Sequence, residues 1–321
     1  MSPEVGNGAS PDAESARGRS EAADRRDGGV PLSDGYGQPL VIGGIGGSGT
    51  RVAAQLLIEL GFYLGDDLNA ALDNLTSTFL FKRPRWYGRA APRQRRIDAA
   101  AHLFTRSMTV GTAPPPRERL TMYGAMLGTM PRGIDRLGRR RGMRWAPERA
   151  RRLLSSAGHD PARKTGWGWK EPNAMLLLEE LDKAFPGLRF IHVLRDPEQI
   201  AHGHNHTMLY NWSRHLGLEP PRRNHTTFDR WCLRLGLKSP RTRAELIERS
   251  LEFSRVVTAR TEHIGQTRLG ARYHQLDMNR LCDEPDLELD SLLSFLDLTP
   301  DVDTRERLRG IPDAKRLTRS S

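Results

Sequence analysis

Cysteine is almost absent from this chain. The 321 residues include two, Cys232 and Cys282, and they form no CxxC pair. That leaves neither a disulfide framework nor a thiolate metal site, and makes a reducing compartment the default. Long apolar runs are also missing. No stretch reaches the roughly 18 consecutive apolar residues that suggest a membrane-spanning helix, so no stable membrane insertion is expected. The opening MSPEVGNG lacks the apolar core of a secretory signal. A cytoplasmic location is the resulting expectation. The hydrophobic fraction is 37%, low for a packed domain, partly because both ends are polar.

Negative charge is in deficit as well. Fifty Lys and Arg face 39 Asp and Glu, a formal net charge of +11. Such a field suits anionic partners, either nucleic acid or a polyanionic cofactor. Arginine dominates the basic residues, and its planar fork is the better bidentate binder of phosphate. No helix-turn-helix, zinc-finger or RNP-like motif accompanies the charge. A basic nucleic-acid-binding protein is therefore an alternative, and nucleic acid is not the expected partner.

The organisation follows from composition. Residues 1–37 are Gly, Ser, Ala, Asp, Glu and Arg with almost no bulky apolar groups, and read as a disordered leader. An α/β domain is expected over 38–300, with a mostly helical insertion at about 80–164 and a basic, mobile tail at 301–321. The insertion contains FLFKRPRWYGR, RERLTMYGAMLGTM and PERARRLLSSAG, interrupted by Pro114–Pro116 and Pro131. It reads as a lid or substrate wall. Phe79, Trp86 and Tyr87 either line an acceptor pocket or pack the insertion, and the Arg139–Arg141 run reads as a solvated face.

Outside the insertion, strand and helix patterns alternate. TGWGWK is strand-like and ends on Lys170, and alternation places Trp167 and Trp169 on one side of it. Pro172 opens a helix over AMLLLEELDKAF, stopped by Pro186-Gly187. LRFIHVLRD is apolar at consecutive positions, as when both faces of a parallel strand are covered. A helix is expected from Pro197 through Tyr210 and another over 241–263. ARYHQLDM reads as a further strand and ELDSLLSFLDL as an amphipathic helix. The fold class is thus α/β, a three-layer arrangement around a central parallel sheet.

The chemistry concentrates in PLVIGGIGGSGTRVAAQLLIEL, residues 39–60. An apolar strand, Leu40–Ile42, meets a glycine-dense turn, and a helical pattern follows. This arrangement turns backbone N–H groups and a helix N-terminus toward a phosphate or sulfate. Gly44-Ile45-Gly46-Gly47-Ser48-Gly49 satisfies GxGxxG, a weak dinucleotide signal by itself. Asp66 and Asp67 lie near the offset at which an acidic residue holds a ribose, so an NAD(P)-dependent oxidoreductase is a second alternative. A Walker A loop is excluded, because Thr50 and Arg51 stand where Gly-Lys-Ser/Thr is required. Lys170 and Arg195 each follow a predicted strand, the end at which open α/β sheets bind ligands. Three anion-binding features then share one sheet edge, more than a hydride-transfer site needs.

IGGIGGSGTR, WGWKEPN and FPGLRFIHVLRDPEQIA, in this order and spacing, resemble the PAPS-dependent sulfotransferases, in particular their diverse bacterial branch. The similarity runs over roughly residues 39–300, through YHQLDMNRLCDEPDLELDSLLSFLDL. It implies a P-loop-like fold and 3′-phosphoadenosine-5′-phosphosulfate (PAPS) as donor, with the bisphosphate PAP as product and no metal. The acceptor is a hydroxyl of a small molecule, sugar or lipid. Carried onto this chain, Gly46, Gly47, Ser48, Gly49, Thr50 and Arg51 surround the 5′-phosphosulfate, and Arg195 matches the arginine that binds the 3′-phosphate. The chain departs from the pattern at three places. Gly47 replaces a common lysine or arginine, Gly203 stands where a serine commonly follows the 3′-phosphate arginine, and Pro172 occupies a histidine position.

Sulfuryl transfer needs a cation near the leaving oxygen and a group to take the acceptor proton. Lys170 is the candidate for the first, with Arg51 as the substitute. Asp67, Asp66 and Glu171 are the candidates for the second. His202, His204 and His206 alternate and do not share a helix face. With no HExxH and no thiolate, no metal site is expected there. The sequence identifies no oligomer interface, and a dimer stays open.

Overall fold

The computed structural model describes residues 37–83, 90–109, 115–129, 139–155, 164–220 and 240–312. The leader, together with Trp86, Tyr87, Pro131 and Cys232, lies outside the described residues.

Five strands form one parallel sheet in the order β2-β3-β1-β4-β5. They are β1 (Leu40–Gly44), β2 (Phe62–Tyr63), β3 (Gly166–Lys170), β4 (Arg189–Leu194) and β5 (Tyr273–Asp277). Central β1 sets Ile42 opposite Lys170 on one side and Gly43 opposite His192 on the other. Every residue of β1 is buried, as a parallel strand covered on both faces requires.

The pleat sends alternate side chains to two separate cores. Leu40 and Ile42 of β1, with Ile191 and Val193 of β4, pack against helix α1 (Thr50–Glu59). Val41, Trp167, Trp169 and Phe190 face the opposite core, with the helices of the insertion. Trp167 and Trp169 do share a face, as alternation predicts. The sheet is thus the middle of three layers.

The insertion is helical: α2 (Leu75–Phe81), α3 (Ala90–Thr109), α4 (Pro116–Thr129) and α5 (Arg139–Ser155). An aromatic cluster fastens it to the sheet. Phe104 of α3 meets Trp169 edge to face at 4.9 Å, and Phe81 and Phe185 close around the same indole. Such pairs contribute about 0.5–1.5 kcal/mol each beyond their burial. Phe79 is fully buried in this core, so it packs the insertion and lines no open pocket.

Four expectations are corrected. Pro172 opens a 3-10 turn, Pro172–Leu177, before helix α6 (Leu178–Ala184) begins. The helix expected from Pro197 through Tyr210 is two, α7 (Pro197–His202) and α8 (Thr207–Trp212). Gly203 ends the first, and the carbonyl of Gly203 accepts from His206 Nε2 at 2.8 Å, which fixes the break. The long helix is α9 (Pro240–Ile264). After β5 come α10 (Met278–Asp283) and α11 (Pro285–Leu296). Beyond residue 300 the chain is not simply a mobile tail. Helix α12 (Val302–Arg309) is capped by Asp301, buries Leu308 and pairs Arg307 with Glu59 of α1.

Strand β1 leads into α1 on one face of the sheet. Its neighbours β3 and β4 lead into helices on the other. Chains that part in opposite directions open a crevice at the carboxyl ends of the strands, the site where open α/β sheets bind ligands.

Candidate active site

The glycine turn fills that crevice. Ser48 N–H donates to the Ile45 carbonyl at 2.9 Å and closes the turn. Gly47 and Gly49 take φ of 99° and 97°, the left-handed region that costs a side-chain-bearing residue about 1–2 kcal/mol. That is a conformational reason for a glycine at position 47, where a cation was expected. Gly49 caps α1, and no side chain caps that helix end. No acidic residue lies in its first turn, so the positive end of the helix is unneutralised.

The interior of the loop has no room for more carbon. A Cβ on Gly44 would lie 2.7 Å from both Ser48 Oγ and the Val193 carbonyl oxygen. Ser48 is 1% exposed, and its Oγ has no hydrogen-bond partner. A buried, unpaired hydroxyl is costly unless something else completes it. Thr50 is buried alongside, and Arg51 is half-buried at the start of α1. An orphan hydroxyl, glycine backbone and a bare helix N-terminus fit a tetrahedral oxyanion.

The facing bank is the segment after β4. Arg195 donates through Nη1 to the Gly47 carbonyl at 3.0 Å and through Nε to Gln199 Oε1 at 2.8 Å. Asn205, in the break between α7 and α8, lies against Gly46. A Cβ there would meet Asn205 Nδ2 at 3.0 Å. Gly203 brings no side chain to this bank, and its N–H donates to Ile200 O at 3.1 Å. His202 is exposed beside Glu198, and His204 is exposed.

On the other side of β1, Lys170 and Glu171 end β3. Lys170 is 2% exposed; its Nζ donates to the Ala71 carbonyl at 3.0 Å and pairs with Asp73. Its partners therefore belong to the loop after β2, not to the glycine turn. That loop is itself clamped, with Asn69 Oδ1 accepting from the N–H groups of Ala71 and Asp73 at 2.8 and 2.9 Å. The Glu171 N–H donates to the Ile42 carbonyl at 3.1 Å, tying this strand end to β1. The Glu171 side chain is 6% exposed and accepts from Asn173 Nδ2 at 2.7 Å. Burial pushes its carboxyl above the usual range, nearby Lys82 draws it back, and Asp73 adds to the rise. A buried carboxyl held ready to take a proton is what a general base needs.

The two aspartates differ. Asp66 is exposed and lies beside Tyr63, whose hydroxyl is pushed up by burial first and then by that carboxylate. Asp67 is 7% exposed, and its Oδ1 accepts from Arg149 and from Arg152, the latter at 3.0 Å. It binds helix α5 to the domain. Both aspartates line a cavity of about 290 Å³ with Thr76, Ser107, Met108 and Arg152, near the lower end of small-molecule pockets.

The structure brings Gly46, Gly47, Ser48, Gly49, Thr50 and Arg195 together around one crevice, with Glu171 on the adjoining strand. Lys170, Asp66 and Asp67 are engaged with the loop after β2. The sequence reading missed Lys82, Asn173 and Asn205. Lys82 and Asn173 line the same small cavity as Glu171. The Asn in WGWKEPN was the one signal available, since an amide two residues after a buried acid is placed to satisfy it. The dinucleotide alternative meets the strand order. Its fold places β2 beside β1, whereas here β3 intervenes and β2 is at the edge. Among the described residues no group of three His, Cys, Asp or Glu side chains could hold a metal ion, and no helix is long and apolar enough to cross a membrane.

No family model and no curated protein matches the chain. Among solved structures it is similar to sulfotransferase STF9 from Mycobacterium avium, at 15% identity over 91% of this chain and 71% of that one, with a TM-score of 0.40. It is also similar to sulfotransferase STF1 from Mycobacterium tuberculosis H37Rv, at 16% identity over 92% and 74%, with a TM-score of 0.36.

Proposed function

We propose that this chain is a sulfotransferase that moves the sulfuryl group of PAPS to an acceptor hydroxyl. The observation that carries the reading is the buried, unpaired Ser48 Oγ inside a glycine turn that Arg195 spans from the facing strand. The ordered motifs of the sequence supply the choice of sulfuryl over phosphoryl transfer.

In this reading the turn N–H groups, Ser48 and Thr50 hold the 5′-phosphosulfate. The acceptor oxygen attacks sulfur in line as the bond from sulfur to the bridging phosphate oxygen breaks. Charge then grows on the departing phosphate, where the α1 N-terminus and a guanidinium stabilise it. Glu171 takes the proton of the acceptor hydroxyl. Lys170 acts as a positioning residue, since its ammonium is engaged by Asp73 and Ala71. The cavity beside Asp66 and Asp67, rich in hydroxyl and charged groups, is assigned to a small-molecule, sugar or lipid-headgroup acceptor. PAP is the product.

The test is incubation with isotopically labelled PAPS and a metabolite extract, followed by mass spectrometry for a mass gain of one sulfate. Transfer that disappears in Glu171→Gln supports the reading. No donor binding and no transfer would sink it. A gel shift at physiological ionic strength checks the nucleic-acid alternative in the same preparation, since phosphate-driven binding is strongly salt-dependent.

A further inference from the structure

The sequence resemblance assigns Arg195 to the far end of the nucleotide, the 3′-phosphate. The geometry points elsewhere. We propose that Arg195, with Asn205, is the missing cationic half of the glycine-loop site and binds the same anion as Ser48. This inference rests on the nucleotide-donor reading above but is separable from it.

Three observations carry it. First, the loop has no cation of its own at position 47, and its left-handed backbone favours glycine there. Second, the Arg195 guanidinium is held by two hydrogen bonds from opposite banks, Gly47 O at 3.0 Å and Gln199 Oε1 at 2.8 Å. A guanidinium carries five N–H donors, so most of the fork stays available at the lip of the loop. Third, Asn205 Nδ2 approaches Gly46 from the same bank. The two side chains thus border the loop that encloses the unpaired Ser48 Oγ. Gly203, the other position on this bank expected to read a 3′-phosphate, has no side chain to offer.

The ligand chemistry is a phosphate or sulfate within an anhydride, with Arg195 at the bridging oxygen. During transfer the guanidinium keeps its proton and meets the charge that develops as the sulfur–oxygen bond breaks. Arginine suits this task, because its pKa above 12 leaves it charged throughout and its fork grips two oxygens.

The experiment is calorimetric titration of the parent chain, Arg195→Ala and Asn205→Ala with PAP, 5′-AMP and inorganic pyrophosphate. The expected result is that Arg195→Ala weakens all three by a similar factor, about 10–100-fold for a lost charged hydrogen bond, with the ratio of PAP to AMP affinity preserved. Asn205→Ala shows the same pattern with a smaller loss, and keeps the inference testable should Arg195→Ala fold poorly. Loss of PAP binding alone, with AMP and pyrophosphate unchanged, returns Arg195 to the 3′-phosphate and overturns the inference. So does unchanged binding of all three. If the parent binds pyrophosphate and neither nucleotide, the donor reading fails while the pyrophosphate arm still decides the role of Arg195. A parent that binds none of the three overturns both.

Discussion

Trp212 donates its indole N–H to Asn173 Oδ1 at 2.8 Å, and all of that indole is buried. The other end of the same amide donates to Glu171 Oε1 at 2.7 Å. Trp212 therefore fixes which way Asn173 faces, and Asn173 favours the charged form of Glu171.

A pH dependence follows. Burial raises the Glu171 carboxyl above its ordinary value near 4.5, and the Asn173 hydrogen bond opposes the rise. The basic form then appears only above the raised value, so the acid limb of kcat lies above the usual glutamate range. For stability the sign is opposite: the protonated form suits the buried site, and its contribution is lost as pH rises through the raised value. Glu171→Gln is expected to lower kcat by about 10²–10⁴ and to remove the limb. Asn173→Ala keeps the limb but moves it to higher pH. A limb that stays in place in Asn173→Ala excludes Glu171 as the titrating group.

Ser48 offers a clean separation of stability from binding. Its Oγ makes no hydrogen bond within the chain, so Ser48→Ala removes a cost and no partner. The melting temperature is expected to hold or rise slightly. Affinity for PAP falls by about 10–100-fold, the loss of one bond to a charged group. Gly44→Ala behaves differently, since its Cβ would meet Ser48 Oγ and the Val193 carbonyl at 2.7 Å. The carbonyl belongs to a central strand and cannot move aside, so that variant loses both stability and binding. Equal melting losses in the two variants would contradict the assignment of Ser48.

Asp67 and Arg149 are a buried pair, with side chains 8% and 6% exposed. Breaking such a pair strands one charge in low dielectric, at a cost of about 3–5 kcal/mol. Asp67→Ala is expected to lose that much in chemical denaturation. Combining it with Arg149→Met recovers most of the loss, because the stranded guanidinium is gone. If Asp67 instead takes the acceptor proton, the double variant is stable and inactive. Activity that returns with stability identifies the aspartate as an anchor for α5.

How much of this was legible in the sequence differs between the loop and its surroundings. The glycine turn, the Arg195 strand end and the buried Trp167 and Trp169 were readable because each depends on local rules, namely backbone conformation and strand alternation. The partners of Lys170 and Asp67 were not. Asp73 lies 97 residues from Lys170, and Arg149 lies 82 from Asp67, so only the folded insertion brings them together. A strand-end lysine and a strand-end acid look equally available for chemistry until those contacts exist. The break at Gly203–His206 was hidden for a related reason: the histidine that fixes it bonds to a backbone carbonyl, which no periodicity reports. Helix α12 was missed because it is charged at most positions and buries a single leucine, Leu308, too weak a stripe to mark a helix.

The sequence reading also passed over His192, in the middle of β4. It is fully buried, shares a 2.7 Å hydrogen bond through Nδ1 with the Tyr273 hydroxyl, and has no partner at Nε2. Burial pushes its pKa down to about 3 from the usual 6.5. The folded chain therefore holds this imidazole neutral, while the unfolded chain protonates it near 6.5. Between those values the unfolded state binds the extra proton, so stability falls as pH is lowered from about 6.5 toward 3. The slope is about 1.4 kcal/mol per pH unit for this one group. His192→Gln keeps a polar partner for Tyr273 but cannot titrate. It is expected to be somewhat less stable than the parent at pH 7 and more stable at pH 4.5, so the two stability curves cross. His274, which burial pushes down to about 4, titrates in both proteins and cancels in the comparison. Denaturant titrations at half-unit intervals of pH measure the difference directly. Parallel curves would mean that His192 gains its proton without opening the fold, and that the strand can admit water beside Tyr273.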